Sequence, residues 1–242
     1  MLEIIKPGLE TSIQDFPGRV GYWNQGFPPS GPMDNWSFRL ANILVGNDAG
    51  APGLESQFMG PTLKFQQDGV IAVTGANMGP KLDGEEIHTW ESVAVKAGQT
   101  LLMGPAFQGA RGYLAVAGGI DAPEWLGSAS TFHKASVGGL DGNAIKAGQV
   151  LPVKTGVGWA GRRVKEACRP QFATDKIWQI EAVAGPNDDW YRKPQPTGQS
   201  SGERTQVMCS ALAPEGTCFL SAPLHQFSAH FRVYEPNSVS KT

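Results

Sequence analysis

Apolar and polar residues alternate in short runs along most of the chain. Thr62–Phe65, Val70–Thr74, Ser92–Val95, Thr100–Met103 and Tyr113–Ala117 are either alternating or briefly continuous in apolar character. A period of two sends successive side chains to opposite faces, so these runs predict strands. Asp68-Gly69, Asp83-Gly84 and Ala97-Gly98 separate them, and such pairs supply the positive φ that tight hairpins require. Many short strands with turns of this kind predict an antiparallel sheet or barrel. One segment breaks the alternation. From Asn35 to Val45 the apolar residues Leu40, Ala41, Ile43, Leu44 and Val45 predict a helix packed on the sheet. Asp34 stands where a side chain caps the first turn, and Gly46 where a left-handed residue ends the last. Asn35, Arg39 and Asn42 fall at i, i+4 and i+7, the spacing of a polar stripe.

Two smaller patterns stand out. Lys96-Ala97-Gly98-Gln99 recurs as Lys146-Ala147-Gly148-Gln149, each time before a short apolar run. The flanking sequences differ, which favours a reused turn over a duplicated unit. Gly156-Val157-Gly158-Trp159-Ala160-Gly161 fits a dinucleotide-binding glycine pattern, with Glu181 farther on. The stretch that would have to be its helix, Arg162–Arg169, is short and stops at Pro170, and no strand–helix–strand unit surrounds it. A flexible connection between two halves is the expected structure there.

Composition adds bounds. The 242 residues hold one large domain or two small ones. With 31 Gly and 18 Pro the chain is rich in turns, which supports a mainly β fold with one or two short helices. A formal net charge of −2 leaves no basic footprint for nucleic acid. Cys168, Cys209 and Cys218 form an odd set without paired spacing, which fits a reducing compartment and a cytoplasmic setting. No signal-peptide core opens the chain and no apolar run has the length of a membrane span. The four His include no His-x-x-x-His pair, so no metal site is expected; His88 and His133 are read as structural or cleft-lining residues.

The most informative segment is Arg111-Gly-Tyr-Leu-Ala-Val-Ala-Gly-Gly-Ile-Asp121. It is an alternating strand with a cation at its entry and a glycine pair and a carboxylate at its exit. Together with Leu126-Gly127-Ser128-Ala129-Ser130-Thr131-Phe132 it resembles the signature of the carboxyltransferase domain of urea carboxylase (urea amidolyase). That family is also called allophanate hydrolase subunit 2, and it includes a subunit of bacterial 5-oxoprolinase. Lys6-Pro7-Gly8-Leu9-Glu10-Thr11-Ser12-Ile13-Gln14-Asp15-Phe16-Pro17-Gly18-Arg19 is similar to the family's opening. Pro28-Pro29-Ser30-Gly31-Pro32-Met33-Asp34, Ser37–Asn42 and Val45-Gly46-Asn47 resemble its best-known block. Gly53-Leu54-Glu55, Gly60-Pro61-Thr62-Leu63, Thr74–Met78 and Gly185-Pro186-Asn187-Asp188-Asp189-Trp190 follow in the family's order.

The resemblance implies a cyclophilin-like β-barrel carboxyltransferase domain with an incomplete second half. Residues 1–160 correspond to its first half and 161–193 to the start of its second. Residues 194–242 fall outside the pattern, begin with a linker-like composition and are expected to be poorly ordered. The implied activity is transfer of a carboxyl group from carboxybiotin to urea. The alternatives are a subunit of an ATP-dependent 5-oxoprolinase and an inactive truncated fragment. Carboxybiotin would arrive on a biotin carrier, and ATP would be used by a biotin carboxylase domain or companion subunit, since no carrier lysine motif and no phosphate-binding loop occur here. The substrate would be a small amide or urea.

Such a transfer needs cations or N–H groups facing the developing ureido oxyanion, and acceptors for the urea N–H groups. Arg111 is the candidate for holding the carboxylate, because its planar fork matches one. Glu55, inside an apolar stretch, is the candidate general base. Asp34, Asn42, Tyr113 and Asp121 are candidate substrate-binding residues. Gly118 and Gly119 are candidate cofactor-binding positions, because a glycine pair admits close backbone approach to a ligand or to another strand. For each there is a plainer reading: an N-cap for Asp34, a solvated helix face for Asn42, core packing for Tyr113, a strand-end ion pair for Arg111, a surface carboxylate for Glu55.

Overall fold

The alternating runs become the strands of two antiparallel sheets in a computed structural model. It describes residues 1–171 throughout and, beyond them, the strands Gln179–Ala182, Ser210–Leu212, Thr217–Phe219 and His230–Val233. The chain divides into two units, Met1–Phe172 and Ala173–Thr242. In the first unit the order is β1 (Leu2–Lys6), β2 (Ser12–Gln14), helix α1 (Asn35–Val45), β3 (Gly53–Gln57), β4 (Thr62–Phe65) and β5 (Gly69–Asn77). Then follow β6 (Lys81–Leu82), β7 (Glu85–Glu86), β8 (Ser92–Val95), β9 (Thr100–Leu102), β10 (Gln108–Val116) and β11 (Val150–Leu151). In the second unit β12 (Gln179–Ala182) pairs in parallel with β15 (His230–Val233), and β13 (Ser210–Leu212) pairs antiparallel with β14 (Thr217–Phe219).

The first unit's sheets run β11-β1-β4-β9-β6-β7 and β2-β3-β10-β5-β8. The fold is therefore mainly β, as the pattern predicts. Both strand orders are open, so the described residues of the first unit form two stacked sheets and not one closed hydrogen-bonded barrel. Their facing sides make the main core. Leu2, Ile4, Leu63, Phe65 and Leu101 of the larger sheet meet Ile13, Leu54, Ile71, Val73, Leu114 and Val116 of the smaller.

Alternation along β10 sends Leu114 and Val116 into that core and Ala115 to the other face, where Ala72 and Val70 of β5 meet Ala41, Leu44 and Val45 of α1. Small side chains on this face let the helix lie close. Asp34 caps α1 by accepting from the Ser37 N–H at 3.0 Å, and Gly46 ends it at φ +86°. Asn42 is fully buried, so the predicted polar stripe stops before it, and Ile43 is exposed instead.

The turns are those expected of the glycines. Asp83 and Gly84, both at positive φ, form the two-residue link between β6 and β7. The two Lys-Ala-Gly-Gln segments are one turn used twice. In each, the Lys N–H donates to the Gln Oε1 (2.8 Å at Lys96, 2.7 Å at Lys146), and the Lys Nζ lies 2.8 Å from a carboxylate, Asp68 or Asp141. Gly98 donates to Phe65 O and Gly148 to Ile4 O, so the two turns deliver β9 and β11 to the outer sides of the central β1–β4 pair. Gly156 and Gly158 of the Gly156–Gly161 segment serve packing, whereas a Cβ on Gly161 would meet open space. A Cβ on Gly156 would lie 2.3 Å from Gly118 N, and one on Gly158 2.8 Å from Ala117 Cβ. The only helical element that follows them among the described residues is a three-residue 3₁₀ turn, Glu166–Cys168.

Candidate functional site

The smaller sheet carries a buried polar row on its helix face. Ser12 of β2 pairs with Glu55 of β3, Glu55 with Tyr113 of β10, and Tyr113 with Thr74 of β5. All four are buried. Paired residues in a sheet share a face, so four neighbouring strands present polar atoms side by side. The N-terminal end of α1 and the loop before it lie over this row: Thr74 Oγ1 donates to Ser37 O at 2.8 Å, and the Phe38 ring meets the Tyr113 ring edge-on at 5.8 Å.

Glu55 is the centre. Its Oε1 accepts from the Arg111 guanidinium at 2.9 Å, and its Oε2 accepts from the Tyr113 hydroxyl at 2.9 Å and from the Met33 N–H at 2.7 Å. Three charge-assisted bonds hold the carboxylate in one orientation. The Tyr113 hydroxyl in turn accepts the Asp34 N–H at 2.8 Å. Burial first, and the Glu55 charge second, raise the Tyr113 pKa far above the ordinary tyrosine value, so the phenol stays protonated and donating. Asp34 accepts from the Ser37 N–H and also from the Ser37 hydroxyl in a short contact.

Arg111 differs from its neighbours. Its side chain is 25% exposed while that of Glu55 is 7% exposed. One guanidinium nitrogen is spent on Glu55, and the described residues give the others no partner. Arg111 stands within an irregularity in the β10–β5 register between Gln108 and Gly112, where Gly109 has φ +80°. Bulges of this kind re-aim side chains at the ends of strands. Gly75, opposite Gly112, makes room: a Cβ there would lie 2.4 Å from Arg111 O and 2.9 Å from the Tyr113 ring.

The structure thus brings together Glu55, Arg111, Tyr113 and Asp34. The other candidates lie elsewhere. Asn42 is fully buried, donates to Ala51 O at 2.9 Å and accepts from Asn47 at 2.9 Å, so its amide holds the turn after α1 and is not on a solvated helix face. Gly118 and Gly119 lie past the far end of β10, on the order of 20 Å from Arg111 at about 3.3 Å per residue. The close approach that Gly118 permits is to the chain itself. Its N–H donates to Asn47 Oδ1 at 2.8 Å, and a Cβ there would lie 2.1 Å from Lys154 O. Asp121 is exposed beside Lys154 at 4.0 Å.

Several participants escape the pattern reading. Ser12 and Gln14 lie in the opening block, where no strand is predicted, and Thr74 ends a predicted strand, yet all three are buried. Asp15 is a second focus: it accepts from the Ser128 hydroxyl at 2.6 Å and the Ala129 N–H at 2.8 Å. Fully buried Arg19 donates to Trp125 O and Ser130 O and lies over the Trp125 ring. These ties explain why the opening block and the Ser128–Thr131 block occur together. Among the described residues no group of three or more His, Cys, Asp or Glu is placed to hold a metal ion. No described helix is long and apolar enough to cross a membrane.

Comparison with known proteins matches residues 25–200 to the family described as carboxyltransferase domain, subdomain A and B. The chain is 43% identical over 213 residues to urea amidolyase of Saccharomyces cerevisiae, covering 85% of this chain and 12% of that protein. It is 40% identical over 188 residues to a 5-oxoprolinase subunit of Escherichia coli, covering 77% of this chain and 58% of that one. Among solved structures, Kluyveromyces lactis urea amidolyase superposes with a TM-score of 0.73 at 41% identity, over 76% of this chain and 12% of that chain. The chain therefore spans about an eighth of the urea amidolyases it matches.

Proposed function

The chain belongs to the carboxyltransferase domain family, subdomain A and B, and on that premise we propose that its Glu55–Arg111–Tyr113 cluster handles a carboxyl group in transfer to a nitrogen of urea. Carboxybiotin, carried by a companion domain or subunit, supplies the activated carboxyl group. The observation that supports this reading is the Arg111 fork: partly exposed, aimed by a buried carboxylate, with nitrogens left over after the Glu55 contact. Those nitrogens suit a carboxylate held by two parallel N–H bonds. The donor set therefore fits the carboxyl group that the premise requires.

Each residue has a separate task in this reading. Arg111 binds and orients the carboxylate and offsets charge that develops near it. Glu55 holds Arg111 in place. Three of the roughly four lone-pair directions of its carboxylate are taken; the remaining one is where a proton from the urea nitrogen would go. Tyr113 stays protonated and keeps Glu55 turned toward Arg111. Asp34 retains acceptor capacity beyond its Ser37 bonds for a urea N–H, and the α1 N-terminus behind it favours negative charge. ATP is consumed by the companion that carboxylates biotin.

A second reading follows from coverage. The chain spans 58% of its 5-oxoprolinase relative but 12% of urea amidolyase, so a component of a 5-oxoproline-cleaving assembly is the alternative. Supplying the chain with the companion subunits of each system and following ATP turnover on urea and on 5-oxoproline decides between them. Turnover that depends on urea and on this chain is the expected result. Dependence on 5-oxoproline transfers the site to the second reading, and dependence on neither overturns both.

A further inference from the structure

Gln14 stands outside the cluster of Glu55, Arg111 and Tyr113, yet it is 5% exposed and lies on the same face of the sheet as Ser12. Its amide is fixed at both ends. Nε2 donates to Ser12 Oγ at 2.9 Å and to Thr131 O at 3.4 Å, and Oε1 accepts from the Gly31 N–H at 3.1 Å. A carbonyl can only accept and a backbone N–H can only donate, so this network admits one orientation of the amide. The acceptor presented to Gly31 is therefore preset by β2 and by the Thr131 segment.

The Gly31 bond belongs to a series. The segment Gly31–Asp34 gives three backbone N–H groups to three side chains on three adjacent strands: Gly31 to Gln14 of β2, Met33 to Glu55 of β3 and Asp34 to Tyr113 of β10. Ser30 at φ +58° and Gly31 at φ +86° bend the chain into this path. A left-handed serine is an unfavourable conformation that surrounding bonds must maintain. We propose that Gln14 is a positioning residue for the site: it anchors Gly31–Asp34 as one latch, and the latch sets the Met33 and Asp34 amides that orient Glu55 and Tyr113. The proposal rests on Glu55, Arg111 and Tyr113 being the site. It does not depend on which acceptor receives the carboxyl group.

The test is residue-resolved amide exchange on the whole chain, comparing the natural protein with Gln14→Met, which keeps the length of the side chain and removes its hydrogen bonds. Exchange at Gly31, Met33 and Asp34 should quicken together by roughly tenfold, the factor that 1.4 kcal/mol makes at 25 °C. Leu54 and Leu114, which lie under the latch in β3 and β10, should keep their rates. Faster exchange at Gly31 alone would mean that the three bonds are independent, and an equal rise at Leu54 and Leu114 would make Gln14 an ordinary core residue. Either result overturns the proposal. Gln14→Asn, one methylene shorter, gives the same readout should Gln14→Met not fold, and Leu63→Ala, in the core of the larger sheet, serves as a destabilised control whose latch amides should stay in step with the core. Latch behaviour together with absent carboxyl transfer would refute the proposed reaction and leave the latch standing. Intact transfer without latch behaviour would do the reverse.

Discussion

Glu55 takes bonds from three separate parts of the chain, which makes its environment sensitive to single atoms. Arg111→Ala removes its only cationic partner among the described residues and leaves a buried carboxylate with two neutral donors. A lost hydrogen bond to a charged group costs about 1–3 kcal/mol, and partial exposure of Arg111 puts the expectation at the lower end. A lower midpoint of urea denaturation at unchanged slope is the predicted result. Tyr113 makes a different prediction. Its pKa is raised in the folded protein, so the buried phenol stays neutral while an unfolded chain ionises near pH 10. Its contribution to stability is constant below that pH and falls as pH rises through it. In an alkaline absorbance titration the Tyr113 phenol should titrate only with unfolding, and Tyr113→Phe should remove that part of the late step. A Tyr113→Phe protein with the same late step would place the group elsewhere.

At the scale of elements, α1 shows what local chemistry determines. Asp34 and Gly46 mark its two ends in the sequence, and the structure uses both as caps. Asp34→Ala should therefore cost about 1 kcal/mol as an N-cap loss, and calorimetry would show a smaller loss for Asp34→Asn or Asp34→Ser, which keep a capping oxygen. Gly75→Ala should cost more, because φ +78° and a 2.4 Å approach to Arg111 O leave no room for a methyl group. A neutral effect in a melting experiment would contradict the close packing at the bulge. Strands β4 and β8 are legible in the sequence at both ends, since their apolar positions alternate between clear turn residues. β3 is not: Gly53-Leu-Glu-Ser-Gln reads as polar because its helix face carries Glu55, the centre of the candidate site. The first part of β10 is hidden for a related reason. Its register slips near Gly109, and Gln108–Ala110 has no apolar alternation to betray a strand. Function and irregular backbone break the local pattern at the same places.

The whole molecule sets which residues can meet. Glu55 and Arg111 are 56 positions apart and Gln14 and Thr131 are 117 apart, so only sheet order brings them together. Periodicity supplies the strands but not their order. The site therefore becomes legible through the resemblance of several ordered motifs, and even that resemblance groups Asn42, Gly118 and Asp121 with residues they do not touch. Stacking of the two sheets predicts that the first unit resists limited proteolysis as one piece. Early cuts between β4 and β10, inside the shared core, would contradict it. In the proposed reaction Arg111, held by Glu55, binds the carboxyl group in transfer. The most direct test of that role is Arg111→Ala in the complete assembly, with ATP-driven biotin carboxylation and urea-dependent carboxyl transfer measured separately. Transfer should fall on the order of a hundredfold or more, about 2.7 kcal/mol or more for one aligned donor, with biotin carboxylation unchanged. Unaltered transfer, or equal loss of both half-reactions, would contradict it.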